Sequence, residues 1–160
     1  MTYCYHNSMR YLLEQLNHLA HKQPETIGFQ MGLDAEKYIT YAQCYHQVQS
    51  IAGTLSKQYR ARSCIILALE NSLDFITTFL GCIYADMIPI PAQPLNMHIR
   101  HLATAIAKLE WIAQDSAAVL LCGDQTTLNV LSNLSEDLQQ EVLALNNEQT
   151  SINSLSILNI

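Results

Sequence analysis

Along much of this chain apolar residues recur three or four positions apart, and elsewhere they run almost without interruption. The first kind of spacing builds a helix with one covered face, and the second a strand buried on both sides. The stretch "SMRYLLEQLNHLAHKQP" predicts a helix capped by Ser8, striped by Leu12, Leu16, Leu19 and Ala20, and stopped by Pro24. "TIGFQM" (26–31) and "YIT" (38–40) flank the turn "GLDAEK" and predict a β-hairpin. Thr40 then caps a long helix, "YAQCYHQVQSIAGTLSKQY", with Tyr45, Val48, Ala52, Leu55 and Tyr59 as its apolar face. "SCIILALE" (63–70) reads as a buried strand, and Asn71 or Ser72 opens a helix that runs to about Ala85. "MIPIP" is a short strand, and Asn96 opens the next helix, with Leu102, Ile106, Leu109 and Ala113 on one side. "AAVLLCG" (117–123) and "DQTTLNVLSN" add one more strand and helix. Beyond about Ser135 the pattern fades, and the tail "NNEQTSINSLSILNI" shows no period.

The order is helix, hairpin, then strands alternating with helices. It predicts an α/β fold: a mostly parallel sheet flanked by helices, with an N-terminal helix and a small β-hairpin. Residues 1–135 form one structural unit on this reading, and 136–160 a weakly patterned tail.

Composition narrows the partners. Net charge is −6 and the eight Lys and Arg form no cluster, which argues against nucleic acid. Charged residues are 14% of the chain, against roughly 25% in an average soluble domain, so part of the surface is expected to be covered. The stretch "FITTFLGCIYADMIPIPA" carries Asp86 and two prolines and falls short of a membrane span. The five cysteines include no C-x-x-C pair, and no basic start leads into an apolar signal core, which favours a reducing, cytoplasmic setting.

Candidate chemistry is sparse. The five glycines never come close enough for a phosphate-cradling loop. The turn "CGDQTT" has the right position for one, but Asp124 at the helix start would compete with an incoming phosphate, so it reads as an N-cap. His18/His21 and His98/His101 are i, i+3 pairs, and Cys44 lies near His46, yet none has zinc-site spacing; polar-face histidines are the expectation. Cys64, Cys82 and Cys122 sit in apolar runs and read as core thiols. No catalytic, cofactor-binding or metal-binding residue is named from these patterns.

One resemblance gathers these pieces. "ITYAQCYHQVQSIAGTLSKQY", with its Thr40–Tyr41 pair, is similar to the opening of the adenylate-forming (AMP-binding) superfamily. "ENSLDFITTFLGCIYADMIPIPAQP" resembles that superfamily's next signature, a helix leading through Tyr-Ala-Gly to a short strand and a proline-rich exit. "HLATAIAKLEWIAQDSAAVLLC" continues the likeness, which covers about residues 10–130 and looks most like the fatty-acyl-AMP ligase branch. Asp86 departs from the pattern by standing where the signature has glycine, at a helix end that calls for a left-handed residue. The resemblance implies a partial N-terminal subdomain of an adenylate-forming enzyme, with the proline-bearing strand at or near a sheet edge. It also implies that ATP and Mg belong only to the full-length parent, since the Ser/Thr/Gly-rich phosphate loop and the later catalytic lysine are not in this sequence.

The expected function is therefore the N-terminal part of a ligase that converts fatty acid and ATP to acyl-adenylate and pyrophosphate, inactive alone. Its expected partners are the remainder of the ligase chain or an acyl-carrier protein. A non-catalytic interaction module derived from such an enzyme is the alternative. An unrelated flavodoxin-like domain is a third reading.

Overall fold

The computed structural model describes residues 3–32, 37–95, 100–134, 142–143 and 156–159. Their elements in chain order are α1 (Tyr3–Lys22), β1 (Ile27–Gln30), β2 (Tyr38–Thr40), α2 (Tyr41–Gln58), β3 (Cys64–Ala68) and α3 (Leu73–Tyr84). There follow β4 (Ile88–Pro91), α4 (Leu102–Ser116), β5 (Leu120–Gly123), α5 (Gln125–Leu134), β6 (Val142–Leu143) and β7 (Ser156–Asn159). The strands form a β1–β2 antiparallel hairpin and a sheet of order β4-β3-β5-β7-β6. Within the sheet β4, β3 and β5 are parallel, whereas β7 runs antiparallel to β5 and β6.

Strand β3 is fully covered on both faces, which explains its unbroken apolar sequence. Ile66 and Ala68 join Leu121 under α4 and α5, in a core with Leu95, Leu109, Leu128 and Val130. Ile65 and Leu67, pointing the other way, join Leu120 and Cys122 under Ile51 and Leu55 of α2 and Cys82 of α3. Ile65, Ile66 and Leu67 are each 0% exposed, and burying each such side chain contributes about 1.5–3 kcal/mol. A third cluster, Leu16, Ile39, Cys44, Val48 and Leu80, lays α1 and the hairpin on the outside of α2 and α3. The layers are thus α1, then α2 with α3, then the sheet, then α4 with α5.

Local chemistry sets most of the boundaries. Thr40 makes a capping box at α2: its hydroxyl accepts the Gln43 N–H, and the Gln43 side chain accepts the Thr40 N–H. Of the two predicted caps for α3, Ser72 is the one used, its hydroxyl accepting Phe75 N–H at 3.1 Å. Helix α3 ends in a Schellman motif, with Asp86 N–H on Ile83 O (3.1 Å) and Met87 N–H on Cys82 O (2.8 Å). Asp86 takes φ +58°, the left-handed conformation expected where the signature has glycine. Ala117, at φ +47°, ends α4 the same way, with its N–H on Gln114 O and that of Ala118 on Ala113 O.

Strand β4 is the sheet edge, as the prolines predict. Ile88 N–H bonds Ser63 O and Ala92 N–H bonds Leu67 O, so the donors at this parity face β3. Pro89 and Pro91 fall at the alternate positions, whose nitrogens face away from β3 and have no hydrogen to offer.

Several expectations shift. Helix α1 begins at Tyr3, so Ser8 lies inside it and is no cap; no Gly or Pro in "YCYHN" halts the helix before Ser8. Leu12 is 47% exposed, and Leu13 takes its place beside Leu16. In α2 the fully buried stripe is Cys44, Val48, Ile51, Ala52 and Leu55, so Tyr45 sits on its margin rather than at its centre. Asn96 lies outside the described residues, and α4 starts at Leu102 with His101 before it, which supplies no side-chain cap. Strands β6 and β7 are additions to the expected elements: they fall beyond Ser135, where the sequence shows no period and no Gly or Pro marks a turn.

Candidate functional site

In an open α/β sheet the ends of the parallel strands are where ligands bind, because loops diverge there and leave a crevice. Here that edge is built from the loop between β3 and α3, the exit from β4 through Ala92–Leu95, and the turn from β5 into α5. The last of these is drawn tightly together. A Cβ on Gly123 would lie 3.0 Å from Thr127 Cγ2, so glycine is what lets α5 approach β5 this closely. Asp124 Oδ1 accepts Thr127 N–H at 2.7 Å, which is the predicted N-cap. The turn does not fit a phosphate: the carboxylate already occupies a donor that an anion would need, and its charge repels one.

Thr127 is 0% exposed and joins three chain segments through one hydroxyl. Its oxygen accepts Leu95 N–H at 3.0 Å, and its hydrogen is shared between Ala68 O and Leu95 O, each 3.3 Å away. Nothing in the sequence singles this residue out. A threonine in the first turn of a helix carries no signal by itself, and its partners lie 32 and 59 positions away.

The other candidates disperse. His18 and His46 are exposed, and Cys44, fully buried beside Val48 and Leu80, cannot share a ligand with His46. His21 lies 2.8 Å from Asn17 O and sets its ring edge-on to Tyr45. His98 lies outside the described residues, while His101 precedes α4. Among the described residues no three His, Cys, Asp or Glu side chains come together to hold a metal. Cys44, Cys64, Cys82 and Cys122 are unpaired thiols. Burial pushes Cys44 up to about 11 and Cys122 up to about 12, and raises Cys82 as well, which keeps all three protonated and poorly nucleophilic. Among the described residues no helix is long and apolar enough to cross a membrane.

On the opposite side of the layers, an open groove of about 330 Å³ runs between α1 and the α2–α3 pair, lined by Arg10, Leu13, Glu14, Asn17, Tyr45 and Tyr84. The hydroxyls of Tyr45 and Tyr84 stand 3.5 Å apart, and that contact raises the Tyr45 pKa and lowers that of Tyr84. Neither ring is deeply buried, so the pair is a surface feature.

With this geometry in place, similarity to known proteins becomes informative. The sequence model of the AMP-binding enzyme family matches residues 16–157. The medium-chain-fatty-acid–[acyl-carrier-protein] ligase JamA of Moorena producens (strain JHB) is 27% identical over 133 residues, which is 81% of this chain and 22% of JamA. The crystal structure of a fatty acid AMP ligase from Legionella pneumophila superposes with a TM-score of 0.60 at 24% identity, over 69% of this chain and 19% of that one. A benzoate CoA ligase from Burkholderia xenovorans LB400 superposes with a TM-score of 0.58 at 19% identity, over 75% of this chain and 22% of that one. The chain spans about a fifth of the length of each of these relatives.

Proposed function

Since this chain belongs to the AMP-binding enzyme family, we propose that it is the N-terminal part of a fatty-acyl-AMP ligase. The parent reaction joins a fatty acid to ATP, giving acyl-adenylate and pyrophosphate. The observation that carries the reading is the relation to JamA, whose name states a fatty-acid substrate and an acyl-carrier-protein acceptor. The fold agrees with it, since β3, α3, the left-handed Asp86 and the proline-bearing edge strand follow in the order of the family's early signature.

In this reading the segment is scaffold and contributes a wall to the acyl site, without a catalytic group of its own. Stabilising the charge that develops on transferring phosphoryl oxygens takes cations or aimed N–H donors. The turn at Asp124 offers neither, so ATP and Mg are assigned to the remainder of the ligase. That remainder, and an acyl-carrier protein, are its partners, and the unpaired thiols accord with a cytoplasmic location.

Fatty-acid-dependent exchange of radiolabelled pyrophosphate into ATP tests the reading. The purified 160-residue chain is expected to show none, and a longer native polypeptide containing it is expected to show it. Exchange by the short chain, or an intact native mass of only this segment, overturns the proposal.

A further inference from the structure

We propose that the outward face of α4, centred on Trp111, is a self-association surface on which a second copy of this chain docks antiparallel about a two-fold axis. The inference goes beyond the ligase reading and does not depend on it.

The layers are finished on one side of the sheet only. Helices α2 and α3 lie between the sheet and α1, which with the hairpin covers their outside. Among the described residues no element covers α4, and it is thinly seated: only Leu109 is fully buried, against five residues of the shorter α3. Leu102, Ile106 and Ile112 pack on the core but keep part of their surface open. Trp111, on the side of the helix away from Leu109 and Ala113, is 64% exposed, more than any other large apolar side chain among the described residues. Tryptophan is enriched at the centres of interfaces because it removes a large apolar area from water.

The charges around it say what fits. Positions three or four apart share a helix face, so Thr104, Lys108, Trp111 and Asp115 form one stripe, and all four are exposed. Ala103 and Ala107 beside the stripe are small enough to admit a neighbouring helix. Lys108 comes three residues before Trp111 and Asp115 four after it. They stand about 10 Å apart along the axis, too far to pair with each other. When a second α4 crosses this face antiparallel, with Trp111 near the axis, Lys108 of each copy comes level with Asp115 of the other. A tryptophan contact and two ion pairs then form together, the reciprocal pattern that a two-fold interface requires. A parallel approach would set Lys108 against Lys108, so the charges select the antiparallel register.

Trp111 is the chain's one tryptophan, so its fluorescence reads this face alone. Sedimentation equilibrium of the 160-residue chain between about 1 μM and about 1 mM spans the affinities of a small, one-helix interface. The mass is expected to move from one chain toward two, and the emission maximum to shift to shorter wavelength along the same curve. Lys108→Asp sets like charges opposite each other at both ends of the contact and is expected to raise the dimer Kd about 10-fold or more. Lys108→Asp combined with Asp115→Lys rebuilds both pairs with their signs exchanged, and is expected to restore the wild-type Kd. Trp111→Asp is expected to abolish the dimer at unchanged far-ultraviolet circular dichroism. A chain that stays monomeric at the highest concentration overturns the proposal. So does a dimer that survives Trp111→Asp, or a charge swap that leaves the Kd raised. Short-wavelength emission from a monomer overturns it too, because the face is then covered by the chain's own residues. In a longer native polypeptide the same sedimentation measurement applies, and a monomer there overturns the proposal, with α4 covered by the remainder of that polypeptide.

Discussion

Gly53 and Gly81 both lie inside helices, and the structure assigns opposite signs to the same substitution at each. Replacing a helical glycine by alanine gains about 1 kcal/mol from backbone entropy wherever the new methyl is unopposed. At Gly53, exposed on α2, a Cβ meets nothing within 4 Å, so Gly53→Ala is expected to stabilise by about that amount. At Gly81, on the face of α3 against α2, the Cβ would fall 2.6 Å from Ile51 Cγ2 and 2.8 Å from Ile51 Cβ. Ile51 is 8% exposed and packed into the core beneath α2, so it cannot swing clear. Relief requires the helices to part, and overpacking of this kind costs about 1–3 kcal/mol. The Gly81→Ala balance is then a net loss of up to about 2 kcal/mol, or a Tm lower by up to roughly 8 °C for a chain of this size. Thermal melts followed by circular dichroism give both numbers. A double-mutant cycle identifies the cause: Ile51→Ala costs about 2–4 kcal/mol alone, and the double variant is expected to lose at least about 1 kcal/mol less than the sum. A Gly81→Ala protein that melts higher than wild type, or a cycle that closes additively, would refute the close packing of α2 on α3.

Two further outcomes follow from buried groups. Thr78 Oγ1 is buried with no hydrogen-bond partner among the described residues, so Thr78→Val is expected to stabilise by about 1 kcal/mol in urea titration; a loss of stability would show that the hydroxyl is satisfied. Cys44 and Cys122 have folded-state pKa values raised from 9.0 to about 11 and about 12, so the unfolded chain releases protons first as pH rises. Their contribution to stability is fully present below pH 9 and is lost as pH climbs toward the folded values. Denaturation midpoints should therefore fall between pH 9 and 11, and a Cys44→Ala, Cys122→Ala double variant should show a flatter profile. An equal slope in that variant would refute the assignment.

The sequence reveals this fold where local chemistry and burial agree. "SCIILALE" reads as a strand covered on both faces, and Thr40 as the cap of the helix that follows it; both hold, and the structure adds Gln43 as the second half of a capping box. The prolines announce an edge because the missing donor is written in the residue itself. What stays hidden is set by distant partners. Tyr45 and Cys44 are adjacent, and only the arrival of α1 and α3 decides that the thiol is buried and the phenol left at the margin. Thr127 is invisible for the same reason, since its importance lies in groups at Ala68 and Leu95. The short strands β6 and β7 complete a sheet whose template, β5, was already there to recruit them. As for the site, the sequence located the turn at Asp124 and its cap, but not the hydroxyl that ties three loops into one surface.

The proline spacing in β4 also governs how this sheet can grow. With Pro89 and Pro91 at the positions that face away from β3, the open margin presents carbonyl acceptors and not a single amide hydrogen. A strand approaching from outside needs donors and acceptors in alternation, and would find half of its own groups stranded. Pairing of another strand on this side is thereby disfavoured. Of the two margins of the sheet among the described residues, the one at β4 is thus the poorer template, and the one at β6 carries no such proline.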